Sequence, residues 1–159
     1  MRTLGTLVIV VCMSLCIGTL AIAADNDNHQ VTVTVVAINE LAVTGGDITL
    51  TINAATAGSE PDAVNNTTCG LQWTTTETSK KITVVSDLSA PDYTLQVQAT
   101  SVTGGTSAGQ LTVSDSAQDL VTGVAETTGS CTLSYTASCT ASEGTGSSVH
   151  TITYTITAS

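Results

Sequence analysis

The sequence predicts an all-β fold: a single antiparallel β-sandwich of about nine strands. Three observations carry this. Threonine and aliphatic residues alternate in Val31-Thr32-Val33-Thr34-Val35, in Ile48-Thr49-Leu50-Thr51-Ile52 and in Thr151-Ile152-Thr153-Tyr154-Thr155-Ile156-Thr157, and a period of two puts one residue class on each face of a strand. The alternating runs are short and separated by Gly, Asn, Asp, Ser and Pro. After residue 24, no stretch has the apolar period of a normal helix. One-faced strands must cover each other's aliphatic sides, so two sheets are expected.

Residues 1–23 read as an export signal. Arg2 supplies the positive end, Leu4 to Leu20 is uncharged and apolar, and Ala21-Ile22-Ala23 fits a small-x-small cleavage site. Cleavage is expected after Ala23 or Ala24. A retained anchor is the alternative, because the run nearly has the length that spans a bilayer. Cys12 and Cys16 follow the bulky Val11 and Leu15, which disfavours lipid attachment, so both cysteines leave with the signal.

Residues 24–159 are then one domain. The expected strands lie near Gln30–Ile38, Glu40–Thr44, Asp47–Asn53, Cys69–Thr76, Lys80–Ser86, Tyr93–Thr100, Gly109–Ser114, Ser130–Ser138 and Val149–Thr157. Gly45-Gly46 is read as a tight turn and Thr76 to Ser79 as a short hairpin. Ala54 to Thr68 is the longest loop. Ser116 to Gly123 is expected to form one helical turn, because Ala117, Leu120 and Val121 share a helical face. With no phenylalanine, one tryptophan and three tyrosines, the core falls to Val, Ile, Leu and Ala.

Beyond Arg2 the only cationic side chains are Lys80 and Lys81, against thirteen carboxylates in a chain of net charge −10. Such a surface repels nucleic acid and anionic membranes. Lys80-Lys81 is also the one obvious guard against edge pairing, a task that soluble monomers give to charge or proline.

Three cysteines remain after processing: Cys69, Cys131 and Cys139. Export makes a disulfide plausible. Cys131 and Cys139 bracket one expected strand and would stand roughly 26 Å apart, too far to join. Cys69 is therefore the shared partner. The similar phrases Cys69-Gly70-Leu71-Gln72-Trp73-Thr74 and Cys131-Thr132-Leu133-Ser134-Tyr135-Thr136 favour Cys69–Cys131. Antiparallel pairing of the two strands would favour Cys69–Cys139 instead. Either way one thiol is left, free or available for a bond between chains.

Catalytic signatures are sparse. Neither His29 nor His150 lies near a nucleophile motif, and no G-x-S-x-G, H-E-x-x-H or C-x-x-C occurs. The reading is not an enzyme, with no catalytic residue, metal or other cofactor assigned. Calcium is a weak possibility at Asp25-Asn26-Asp27-Asn28, at Glu60 and Asp62, or at Asp87 and Asp92, but the first lacks the glycine and closing glutamate of a calcium loop. Gly104-Gly105 and Glu143-Gly144-Thr145-Gly146 are read as turns. Asn65-Asn66-Thr67-Thr68 holds two overlapping glycosylation sequons. The threonines Thr32/Thr34, Thr49/Thr51, Thr74/Thr76 and Thr151–Thr157 fit an ice-binding surface in kind, yet a twisted sheet does not keep a flat array, and threonine is simply a good strand former.

The first expected strand is the most suggestive feature. Residues 24–38 combine a polar tail with alternate aliphatics at Val31, Val33 and Val35, ending at Ile38. Such a strand can complete a neighbouring molecule's sheet instead of its own. In its phrases Ala37-Ile38-Asn39-Glu40-Leu41-Ala42-Val43, Asp47-Ile48-Thr49-Leu50-Thr51-Ile52 and His150-Thr151-Ile152-Thr153-Tyr154-Thr155-Ile156-Thr157, the chain resembles small exported prokaryotic surface proteins with one Ig-like or pilin-like sandwich. The resemblance implies a secreted or cell-surface structural subunit of a filament, pilus or surface layer, sometimes joined by donor strands. Its partners would be copies of itself and other surface components, with no nucleic acid and no membrane once the signal is gone. The alternative is a monomeric secreted adhesion or ligand-binding module using the Ala54–Thr68 loop.

Overall fold

A computed structural model describes residues 26–89 and 91–159. The expected export signal, with Cys12 and Cys16, and Asp25 of the acidic tail lie outside the described residues. The chain divides into two units after Thr34. In the first, residues 26–34 belong to no strand. The second carries nine strands: β1 (Asn39–Thr44), β2 (Val64–Thr75), β3 (Lys80–Ser86), β4 (Thr94–Thr103), β5 (Thr106–Ser107), β6 (Gln110–Thr112), β7 (Gln118–Val124), β8 (Thr127–Ser138) and β9 (Ile152–Ala158). A 3-10 turn covers Ala141–Glu143. Among the described residues no helix is long and apolar enough to cross a membrane.

The fold is all-β, in two antiparallel sheets. One has the order β1-β2-β8-β4-β6, and the other β5-β7-β3-β9. The period of two sorts their faces. Leu71, Trp73 and Thr75 of β2 point inward between exposed Gln72 and Thr74. Cys131, Leu133, Tyr135 and Ala137 do the same on β8, as do Leu95, Val97 and Ala99 on β4. From the other sheet, Ile82 and Val84 of β3 join Leu120, Val121 and Val124 of β7, and all these residues share one core.

Four expectations are corrected. Ser116 to Gly123 is not a helical turn but contains most of β7. Its register against β3 slips twice: Lys80 pairs with Val124, Ile82 with Val121 and Thr83 with Asp119. Each slip sets one extra β7 residue against β3, as in a bulge. Leu120, Val121 and Val124 thereby all face inward, and their spacing imitates a helix face. Second, Thr76 to Ser79 is not a hairpin, because β2 and β3 belong to different sheets. It is a corner, turned with Ser79 at φ 56°. Third, Lys80 and Lys81 guard no edge, since β3 lies between β7 and β9. Lys80 pairs with Glu77 at 3.0 Å and Lys81 with Asp119 at 2.9 Å. Fourth, Gln30–Ile38 and Asp47–Asn53 carry the clearest alternation but belong to no strand.

Gly45-Gly46 does turn the chain, with φ of 90° and 72°. A Cβ on Gly45 would fall 2.3 Å from the Thr68 carbonyl oxygen, so both conformation and space demand glycine there.

Candidate functional site

Two features of this chain combine apolar side chains with backbone that lacks a sheet partner on at least one side. The first is the N-terminal stretch. Val31, Val33 and Val35 are 73%, 81% and 72% exposed, and Val36 is exposed too. Ile38 differs from them. Its N–H donates to Thr76 Oγ1 at 2.9 Å, and its carbonyl accepts the Thr76 N–H at 3.0 Å. It is thus the anchor from which β1 begins. A network at the same corner holds it: Thr75 Oγ1 donates to Asn39 Oδ1 at 2.7 Å, and the Asn39 amide donates to the Glu77 carboxylate. That hydrogen bond, then Lys80, holds Glu77 below the usual carboxylate range. All four residues expected in the assembly strand are exposed, and Ile38, the least so, is also tied down by its backbone.

The second feature is a groove of about 970 Å³. One lip is the segment from Asp47 to Ile52, and the other is β9 with the residues leading into it. Its floor comes from the inner face of the opposite sheet, at Cys69, Leu95, Leu133, Tyr135 and Ala137. Ile48, Leu50 and Ile52 pack against the core while Thr49 and Thr51 are exposed, as in a strand. Yet among the described residues no backbone group of 47–53 hydrogen-bonds another. The second lip is equally open: β9 pairs with β3 on one side and ends its sheet on the other. Its seven residues, Ile152 to Ala158, contain no charge and no proline.

Tyr154 of β9 and Tyr135 on the floor join their hydroxyls in a hydrogen bond. Burial pushes both phenols up. At the groove's end, His150 is held at both ring nitrogens. Nδ1 meets Ser86 Oγ at 2.8 Å, and Nε2 meets the Tyr93 hydroxyl. The Tyr93 and His150 rings meet edge to face, 5.5 Å between centroids. Burial lowers the His150 pKa, and the nearby Asp87 opposes this. The Asp87 carboxylate accepts the Thr151 N–H at 2.8 Å.

Sequence reasoning missed this cluster, because Ser86, Tyr93 and His150 are far apart in the chain. It is arranged as a clamp. A serine activated by histidine needs an open Oγ and a base oriented by a third group. Here Ser86 is 3% exposed and also accepts the Leu88 N–H. The Asp87 oxygen Oδ1 binds backbone. What the cluster does is pin the start of β9 to the end of β3.

All three described cysteines are free thiols, so neither expected disulfide is present. The register explains this for Cys69 and Cys131. Cys69 faces Leu133 and Cys131 faces Leu71, which makes the cysteines diagonal neighbours on the inner face. Diagonal positions stand about 7–8 Å apart, beyond ordinary disulfide geometry. Cys139 lies six residues past Leu133, about 20 Å along the strand direction. Burial raises both the Cys69 and the Cys131 thiol pKa.

Among the residues considered for calcium, the carboxylates of Asp27, Glu60 and Asp87 have other partners. Asp27 Oδ1 accepts the Asn28 N–H, and the Glu60 carboxylate accepts the Ala141 N–H. Among the described residues no group of three or more His, Cys, Asp or Glu side chains is placed to hold a metal. Of the sequons, Asn66 Oδ1 accepts from Thr68 N–H and Oγ1, and Asn65 Oδ1 accepts from Thr136 Oγ1. The threonines considered for ice do not share one sheet: Thr74 is on β2, while Thr153, Thr155 and Thr157 are on β9.

No family model, curated protein or solved structure matches this chain.

Proposed function

We propose that this protein is an exported structural subunit of an extracellular filament, pilus or cell-surface layer, and that its copies join by β-strand addition. An export signal at residues 1–23 and an Ig-like or pilin-like sandwich belong to this reading. So does a role without catalysis or a bound cofactor.

One observation carries it: Val31, Val33 and Val35 are exposed on alternate positions of a segment outside both sheets. Fully burying a valine gains about 1.5 kcal/mol. A run of such side chains in water is therefore a surface awaiting a partner, and alternation with threonine selects a sheet as that partner. The uncharged edge of β9 adds to this, since soluble monomers normally protect such edges.

Negative-stain electron microscopy of the protein recovered from the secreting cell tests the reading. Regular fibres or sheets are expected. Dispersed single particles at high concentration would overturn assembly and favour a monomeric adhesion module.

A further inference from the structure

The two overlapping sequons fall on opposite faces of β2, and we propose that Asn65, not Asn66, is a carbohydrate attachment site of the exported protein. The inference rests on the export that the reading above requires, and not on assembly.

Asn65-Asn66-Thr67-Thr68 holds the only Asn-x-Ser/Thr sequences in the chain, the pattern of an N-linked acceptor. Successive residues of a strand point to opposite faces, so the register decides which asparagine can carry a sugar clear of the protein. Asn65 pairs with Thr136 and Asn66 with Tyr135, and directly opposite residues share a face. Tyr135 is buried between the sheets, so Asn66 stands on the inner side, where it is half-buried. Asn65 stands on the outer face and is exposed, as is Thr67, the third residue of its sequon.

The hydrogen bonds make the same choice. Asn65 Oδ1 accepts from Thr136 Oγ1 at 2.7 Å. This orients the amide and, among the described residues, leaves Nδ2, the atom that takes the sugar, without a partner. Asn66 is instead enlisted in the fold: its Oδ1 accepts both the N–H and the Oγ1 hydroxyl of Thr68, at 2.9 Å and 2.8 Å, across the register shift between Asn66 and Cys69. The outer face also offers a surface for a sugar. Thr136 pairs with Gln96, and Gln96 with Thr112, so Asn65, Thr136, Gln96 and Thr112 cross the sheet as one row. Their hydroxyls and amides can both donate to and accept from sugar hydroxyls. On the other side of Asn65 there is room, because β1 reaches along β2 only as far as Gly70.

The donor class is a lipid-diphosphate-linked oligosaccharide, used by a transferase of the exporting membrane. Asn65 Nδ2 forms a bond to the anomeric carbon, and the bond from that carbon to the diphosphate oxygen breaks. The lipid diphosphate leaves with the electron pair, and the amide gives one proton to a base of the transferase. Nothing is oxidised or reduced.

Mass spectrometry of the full chain recovered outside the secreting cell tests this, on the intact protein and on its peptides. The exported parent should be heavier than its processed sequence by whole sugar residues, located on Asn65. Thr67→Ala destroys the Asn65 sequon and leaves the one at Asn66 intact, and it should remove the excess entirely. Thr68→Ala destroys only the Asn66 sequon and should keep the excess. Circular dichroism of both variants should match the parent, since Thr67 and Thr68 are exposed. An exported parent of unmodified mass, or sugar on Asn66 that survives Thr67→Ala, overturns the assignment and leaves export standing. A chain that stays inside the cell with residues 1–23 attached overturns export, and this inference with it.

Discussion

Trp73 and Gly129 face each other across β2 and β8, and the indole occupies the space that any side chain at 129 would need. A Cβ on Gly129 would lie 2.3 Å from Trp73 Cε2, 2.4 Å from Nε1 and 2.5 Å from the Thr103 carbonyl oxygen. Glycine inside a strand is ordinarily a weakness, because it loses more backbone entropy on folding than alanine does. Here the sign reverses. Gly129→Ala is expected to destabilise the fold by about 1–3 kcal/mol, as overpacking does. Urea unfolding followed by Trp73 fluorescence measures this, and a variant as stable as the parent would show that the indole yields freely.

Leu133 is fully buried, pairs with Cys69 and forms part of the groove floor. Leu133→Ala should cost about 2–5 kcal/mol, the range for large-to-small changes in cores. Ile48 packs on the same core from a segment without ladder bonds. Ile48→Ala should therefore cost clearly less than Leu133→Ala in the same denaturation experiment. Equal losses would mean that the Asp47–Ile52 lip is held as firmly as the sheets.

His150 should make stability depend on pH below neutrality. Burial holds its folded pKa below the ordinary value near 6.5, so the unfolded chain takes up a proton first. Its contribution is complete above about pH 6.5 and is lost as pH falls through the lower folded value. Between pH 7.5 and 5 the parent's unfolding midpoint should fall, and His150→Gln should flatten that slope. The Asp87 carboxylate, also lowered in the fold by its bonds to Thr151, acts in the same direction but only at more acid pH. A parent with no slope in this window would remove the buried neutral imidazole from the account.

The three described thiols should differ in reactivity. Cys69 and Cys131 are buried, and burial raises their pKa, so little thiolate forms at neutral pH. Cys139 lies just past β8 and is half-exposed. Timed labelling of the native protein with a thiol reagent, read by peptide mass, should modify Cys139 first and the other two only on unfolding. Fast modification of Cys69 would mean that the groove floor opens readily to solvent.

Lys81 meets Asp119 at the surface of an interior strand. Exposed pairs of this kind contribute about 0–1 kcal/mol. Lys81→Gln should therefore change stability by less than about 1 kcal/mol and leave the state of association as it was. Increased association, measured by light scattering, would restore Lys81 as an edge guard.

How much of this was legible in the sequence depended on whether a segment's period matched its partner. β2, β3, β4, β8 and β9 were readable because Leu71/Trp73, Ile82/Val84, Leu95/Val97, Leu133/Tyr135 and Ile152/Tyr154/Ile156 keep a strict period of two. β7 was misread because its register slips put Leu120 and Val121 on the same side, and a bulge is a property of two strands together. β5, with only Thr106 and Ser107, is too short to leave a pattern. The Ser86–His150–Tyr93 clamp left no signal, since three elements distant in sequence converge to make it.

By itself, then, the sequence determined the β class and the alternation of apolar and threonine faces, because side-chain alternation is a local property of the chain. Tertiary structure decided the rest. It placed β2 and β3 in different sheets, put the lysines on an interior strand and offset Cys69 diagonally from Cys131. It also left Val31–Val35 and Asp47–Ile52, two of the clearest strand patterns in the chain, outside both sheets. A strand pattern specifies a face and an edge to be satisfied, and only the assembled ladders decide which edges find partners within the molecule.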